Sequence, residues 1–226
     1  MTIKALIFDL DGVLVDTMPL HFKAWEKLAE QHNRPFDQTM KDSFRGLPQR
    51  KCLAKLFAEQ DLSSTDIQNL LQQKNDAYQA IIRNSEPDDL LTPGTLAFLS
   101  AAGDRGLKCG IASSSVSAEM VIQHTNLIDY VDAFAHGLTV NNGKPSTDIF
   151  VWVSGALGIP PRNCIVFEDG DVGLQAANKA GMWTTGIGTG EWLKQANWQF
   201  PAIEFIELDD LLQQAIVHDK EAIQET

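Results

Sequence analysis

The segment Phe8-Asp9-Leu10-Asp11-Gly12-Val13 sets two carboxylates two residues apart, where an apolar run gives way to glycine. Carboxylates this close, in unlike surroundings, can divide labour. One stays ionised as nucleophile and metal ligand, while the other takes and returns a proton. A bare Asp-x-Asp is also an ordinary strand-end turn, so the pair is weighed with the rest of the chain. Glu168-Asp169 follows Ile165-Val166-Phe167, a second apolar run that ends in acid. Hard oxygen donors of this kind suit Mg2+, which keeps waters and substrate phosphate oxygens around it. Ser113 follows Gly110-Ile111-Ala112 and can offer a hydroxyl to a phosphate oxygen. Lys144, just before Pro145, can offer an ammonium to a transferring phosphoryl group. Phosphoryl transfer asks mainly for positioning and charge stabilisation. Taken singly, Ser113 and Lys144 read as cap and surface residues. Four such elements in chain order, each at a strand end, point to one site.

The elements that must position them follow from periodicity. Short apolar runs predict strands at Ile3–Leu10, Leu107–Ala112, Ala133–His136, Ile165–Glu168, Thr184–Ile187 and Ile203–Ile206. Helix-period segments fall between and after them, at Pro93–Arg105, Ser117–Thr125, Thr147–Leu157, Leu174–Ala180 and Leu208–His218. This alternation predicts an α/β fold with a Rossmann-like parallel-sheet core, whose strand ends gather ligands. Residues 16–88 break the pattern. His21–His32, Arg50–Phe57 and Thr65–Ile82 are helical, the last opened by a Ser64 or Thr65 cap, and no strand is visible. The expected organisation is a core of residues 1–15 and 89–226 with an inserted all-helical cap domain, 16–88.

Composition narrows the function classes. The chain has 226 residues, 44% hydrophobic and 21% charged, enough for a core without staples. Its formal net charge of −12 repels nucleic acid at long range and excludes that class of partner. An anionic substrate must therefore find local cations, backbone N–H groups or a metal. Three scattered cysteines, Cys52, Cys109 and Cys164, fit buried thiols in a reducing compartment. The first apolar run stops at Asp9, too early for a signal peptide, and no stretch approaches a membrane span. The expectation is a cytoplasmic monomer with no membrane partner.

The four elements resemble the motifs of the haloacid dehalogenase-like phosphotransferases: Phe8 to Val13, Ala112-Ser113, Lys144-Pro145 and Glu168-Asp169. The insert position resembles the subgroup with a helical cap, which contains β-phosphoglucomutases and sugar phosphatases. Asp16-Thr17, His21-Phe22-x-Ala24-Trp25, Arg45-Gly46-Leu47 and Lys74-Asn75-Asp76 with Tyr78 carry the finer likeness. The resemblance implies that Asp9 attacks phosphorus to form an aspartyl phosphate and that Asp11 is the general acid and base. It implies Mg2+ held by the carboxylates of Asp9, Glu168 and Asp169 and the main-chain carbonyl of Asp11. Ser113, Ser114 and Lys144 would bind the transferring phosphoryl group. His21, Gly46, Leu47, Arg50, Lys74 and Ser115 would contact the sugar phosphate, with His21 and Lys74 helping to set cap closure.

The sequence also departs from the mutase pattern. A mutase must grip a second phosphate, through an Arg in the cap loop and a Lys after the serine-rich turn. The corresponding positions here read Gln49, with Arg50 one place later, and Val116 in Ser113-Ser114-Ser115-Val116-Ser117. One residue along a helix is a rotation of about 100°, so Arg50 need not replace Gln49. Arg45 stands where Lys is usual, and Asp171 is an extra carboxylate after the acidic pair. Trp183, Trp192 and Trp198 read as core or rim packing, Gly186–Gly190 as backbone freedom near the site, and Glu204–Asp210 as an acidic rim. Net hydrolysis of a small sugar phosphate is the leading reading. The alternatives are β-phosphoglucomutase activity and a non-catalytic sugar-phosphate binding protein.

Overall fold

A computed structural model describes residues 2–44, 47 and 49–224, with side chains through Val217. The chain divides into two compact units, Met1–Asp16 with Pro87–Thr226, and Thr17–Glu86. The first unit is a six-stranded sheet. Its strands are β1 (Ala5–Phe8), β2 (Lys108–Ala112), β3 (Ala133–Ala135), β4 (Cys164–Glu168), β5 (Trp183–Ile187) and β6 (Trp198–Phe200). All pairs are parallel and the order is β3-β2-β1-β4-β5-β6. Its helices are α5 (Thr95–Asp104), α6 (Ala118–His124), α7 (Asp148–Leu157), α8 (Asp171–Lys179) and α9 (Leu208–Gln224), numbered after the four helices of the second unit.

Every residue of β1 and β4 is buried, as strands in the middle of a helix-covered parallel sheet must be. Chain order reverses at β1, which has β2 on one side and β4 on the other. Such a reversal opens a crevice at the strands' carboxyl ends. Register then decides what meets there. Phe8 pairs with Phe167 and with Ile111, so the chain leaves the sheet at Asp9 beside Glu168 and beside the end of β2. Phe8 stacks on Phe167 with centroids 4.7 Å apart, and Phe98 of α5 meets both rings edge-on.

The second unit is helical: α1 (Met18–Gln31), α2 (Gln38–Phe44), α3 (Gln49–Leu56) and α4 (Ser64–Arg83). Its core is Trp25, Leu28, Phe44, Leu53, Leu56, Phe57 and Leu70. The α2 helix was not expected. Seven residues are too few to show a period, and Asp37 starts it by accepting the Met40 N–H at 2.9 Å. The cap of α4 is Ser63, not Ser64 or Thr65. Ser63 and Asp66 exchange side-chain and backbone hydrogen bonds in a capping box.

Ile203–Ile206, expected as a strand, instead holds a 3-10 turn at Ile203–Phe205, and the sixth strand is Trp198–Phe200. Pro201 follows directly and cannot donate to a ladder. Ile203 is buried by packing alone, which a short apolar run does not distinguish from pairing. Helix α8 starts at Asp171 rather than Leu174. Asp171 is thus a first-turn carboxylate, favoured by the helix dipole, and it accepts hydrogen bonds from Gln175 and Gln195 at 3.0 and 2.7 Å. All three cysteines are free and buried, and among the described residues no helix is long and apolar enough to cross a membrane.

The aromatic trio under the crevice sets a test of this packing. Replacing Phe98 with Ala should cost about 3–5 kcal/mol, the range for deleting a buried ring. Urea unfolding of the variant should show the loss as a lower midpoint.

Candidate active site

Asp9 ends β1. Its N–H donates to Phe167 O at 2.8 Å, which extends the β1–β4 ladder by one residue and fixes where its side chain begins. The chain then turns tightly. Gly12 adopts φ +87°, and its N–H donates to Val15 O at 2.8 Å. Val13, Leu14 and Val15 are buried, so the excursion is anchored by its own apolar side chains. It is latched again from Thr92, whose hydroxyl donates to Val13 O at 2.7 Å, and from Thr95, whose hydroxyl donates to Leu14 O at 3.1 Å.

Lys144 Nζ donates to Asp9 Oδ1 at 2.5 Å and to Glu168 Oε2 at 2.7 Å. Its side chain is 4% exposed, and its ammonium lies 4.9 Å from the centre of the Phe150 ring. Burial alone would lower the lysine's pKa, but Asp9 and Glu168 more than offset this and hold it above its ordinary range. Carboxylate oxygens of Asp9, Glu168 and Asp169 lie within 4.8 Å of one another. Burial, with the Asp9 charge adding, pushes Glu168 up to about 8 and Asp169 to about 7. Three converging hard donors that repel one another are what a small divalent cation requires, so the donor set fits Mg2+. The Asp11 side chain stands outside this trio. Its Oδ2 instead accepts from Ser113 Oγ at 3.4 Å.

Two glycines shape the trio. A Cβ on Gly12 would sit 2.2 Å from Asp169 Oδ2, and a Cβ on Gly173 would sit 2.1 Å from the Glu168 carboxyl. Gly170 N–H donates to Glu168 Oε1 at 3.1 Å, and the Trp192 indole N–H donates to Asp169 O at 2.9 Å. Gly170, Gly173 and the Trp192 bond were missed in the sequence. The available clue was a glycine one helical turn beyond an acidic strand end. Ser113 is buried and its Oγ accepts the Ser115 N–H at 3.1 Å, while Ser115 Oγ accepts the Ser117 N–H at 3.2 Å. Ser114 is exposed beside them, and Val116 is half exposed.

The insert holds a second cluster. Lys74 is fully buried, 2.9 Å from His21 Nδ1. The His21 ring stacks on Tyr78 at 4.1 Å, and the Lys74 ammonium faces the rings of Trp25 and Tyr78 at 5.5 and 5.0 Å. Burial first, then the Lys74 charge, pushes His21 down to about 3. A cavity of about 210 Å³ is lined by His21, Phe22, Leu47, Gln49, Cys52 and Lys74, among others. Arg50 is not among its walls. It faces a separate cavity with Leu53, Phe57 and Ile67, as a rotation of about 100° from Gln49 requires. Arg45 and Gly46 lie outside the described residues.

Residues 3–181 match the haloacid dehalogenase-like hydrolases. The chain is 36% identical over 192 residues to the β-phosphoglucomutase of Bacillus subtilis, covering 83% of this chain and 84% of that one. It is 33% identical to the fructose-1-phosphate phosphatase YqaB of Escherichia coli, covering 78% and 92%. The crystal structure of β-phosphoglucomutase from Clostridium difficile superposes with a TM-score of 0.82 at 29% identity, covering 96% and 99%.

Two outcomes are expected from these geometries. A methyl group at Gly173 has no room beside Glu168, so Gly173→Ala should lower kcat/KM by roughly 100-fold, as misplacing a reacting-site group does. Circular dichroism should remain native. His21 should refuse a proton between its ordinary 6.5 and about 3, while the unfolded chain accepts one. Folding stability should therefore drop as pH falls through that window, with a slope approaching about 1.4 kcal/mol per pH unit from this residue. The contribution should vanish in His21→Asn, read as the difference between the two pH–stability curves.

Proposed function

The chain belongs to the haloacid dehalogenase-like hydrolases, and on that footing we propose a Mg2+-dependent phosphatase of small sugar phosphates acting through an aspartyl phosphate on Asp9. The observation that carries the reading is the Lys144 ammonium shared by Asp9 and Glu168 beside Asp169, at adjacent strand ends. The Asp9 carboxylate attacks phosphorus, forming an O–P bond as the bond to the sugar oxygen breaks. Asp11 gives that oxygen its proton. In the second half Asp11 takes a proton from water, the water oxygen attacks phosphorus, and phosphate leaves with Asp9 restored. Lys144 holds the Asp9 carboxylate in line through its hydrogen bond, and Ser113 donates to Asp11 and presents a hydroxyl to the phosphoryl oxygens. Asp9, Glu168 and Asp169, with the Asp11 carbonyl, would hold Mg2+, which supplies charge neutralisation for the incoming phosphate. The insert's pocket, with His21, Lys74, Leu47 and Gln49, is assigned to sugar recognition.

The likeness to a β-phosphoglucomutase favours a second reading, in which the sugar rather than water accepts the phosphoryl group. Gln49 and Val116 weigh against it, because neither supplies a positive charge to hold a second phosphate. Losing one charged hydrogen bond of that kind removes about 1.5–3 kcal/mol.

One experiment separates the readings. Hexose and pentose phosphates are supplied with Mg2+, and both released phosphate and isomerised sugar are scored. Phosphate release should dominate, stop on chelation, return with Mg2+, and be lost in Asp9→Asn. Isomerisation of β-glucose 1-phosphate far above phosphate release would establish the mutase. Gln49→Arg with Val116→Lys should shift flux toward isomerisation.

A further inference from the structure

Three Asx-Gly steps occur in the chain, Asp11-Gly12, Asn142-Gly143 and Asp169-Gly170, and each lies in a loop that carries part of the site. Asparagine followed by glycine is open to attack by the next amide nitrogen, because glycine has no side chain to hinder the approach. No other asparagine of this chain precedes glycine. The structure distinguishes the three steps. Gly12 N–H is engaged with Val15 O at 2.8 Å, and Gly170 N–H with Glu168 Oε1 at 3.1 Å. Gly143 N–H has no hydrogen-bond partner among the described residues. Asn142 and Gly143 are exposed, and nothing lies within 4 Å of where a Gly143 Cβ would stand.

The Asn142 side chain also does a job. Its Nδ2 donates to Asp148 Oδ2 at 3.0 Å, while Ser146 Oγ donates to Asp148 Oδ1 at 2.6 Å. These bonds, Ser146 first, hold the Asp148 carboxyl below its usual range, so it is ionised at neutral pH. Asp148 begins α7 and thus fastens the loop on both sides of Lys144, through residue 142 before it and residue 146 after it.

We propose that Asn142 is a spontaneous modification site, where loss of the side-chain amide loosens the Lys144 loop and inactivates the enzyme. The Gly143 amide nitrogen loses its proton to hydroxide and attacks Asn142 Cγ. The N–Cγ bond forms, the Cγ–Nδ2 bond breaks, and ammonia leaves with a proton from water. Water then opens the resulting succinimide at either carbonyl, giving aspartate or isoaspartate. Either product sets a carboxylate where an amide donor faced Asp148, so attraction becomes like-charge repulsion. Isoaspartate also adds a methylene to the backbone two residues from Lys144.

The test is to age the intact protein at mildly alkaline pH and follow residue 142 by peptide mass mapping and isoaspartate assay. Residue 142 should convert ahead of every other asparagine. Phosphatase activity should fall in proportion to the converted fraction. Gly143→Ala, for which the backbone has room, should slow both changes together. Asn142→Asp should show faster amide hydrogen exchange over residues 143–148 than the unaged protein. Prior conversion elsewhere, unchanged exchange, or full activity after conversion would each overturn the proposal. The activity measurement alone rests on the phosphatase reading. A fresh protein with no activity would refute that reading, while mass and exchange would still decide this one.

Discussion

Lys144 is almost sealed from water, and an ammonium there would be intolerable without Asp9 and Glu168 against it. The same is true in reverse. Two carboxylates at neighbouring strand ends repel each other by about 4 kcal/mol at 4 Å and an effective dielectric of 20. The shared cation is what lets β1 and β4 finish side by side in acid. It comes from a loop remote in sequence, so Asp9 and Glu168 are correctly placed only when that loop is also in place. A structural requirement and a chemical one are met by the same three groups. The lysine that neutralises the crevice in the resting protein is the cation an incoming phosphate would meet.

The insert solves a like problem by other means. Lys74 is buried more deeply than Lys144, and an imidazole and two aromatic rings are among the groups that face it. A neutral His21 can accept from the ammonium because burial and the lysine's own charge keep the ring unprotonated. Stacking on Tyr78 then fixes the ring plane. A histidine that resists protonation is suited to holding a hydrogen-bond pattern constant across the range where ordinary histidines change theirs.

The sequence was most legible where chemistry and periodicity coincided. Asp9, Asp11, Ser113, Glu168 and Asp169 each terminate or follow a short apolar run, whereas Lys144 lies in the polar loop between β3 and α7; five of the six strands lie within their expected spans to about a residue. It was least legible where one residue's role is set by another's bulk. Nothing near Gly173 in the chain says that Glu168 will lie over it, because that contact depends on the turn from β4 into α8. The 3-10 turn at Ile203–Phe205 shows the related ambiguity: buried isoleucines look alike whether paired in a sheet or packed beneath one. Asp171 was unexplained in the sequence because its partner Gln195 lies beyond another strand.

Charge balance also bears on the acceptor. Three carboxylates, Asp9, Glu168 and Asp169, converge beside one ammonium in a protein already strongly anionic. Each local cation therefore counts for more than it would on a neutral protein, because the surrounding field opposes every phosphate that approaches. A monophosphate needs that opposition overcome once, beside Asp9. A bisphosphate intermediate needs it overcome twice, and the second phosphate must stay while the sugar turns over. The neutral amide of Gln49 and the apolar side chain of Val116 offer no charge for that second grip. In the proposed mechanism, water is the acceptor that would need no anchor at all. On that mechanism, the balance of charge would direct an aspartyl phosphate on Asp9 toward hydrolysis on electrostatic grounds, whichever sugar phosphate is the substrate.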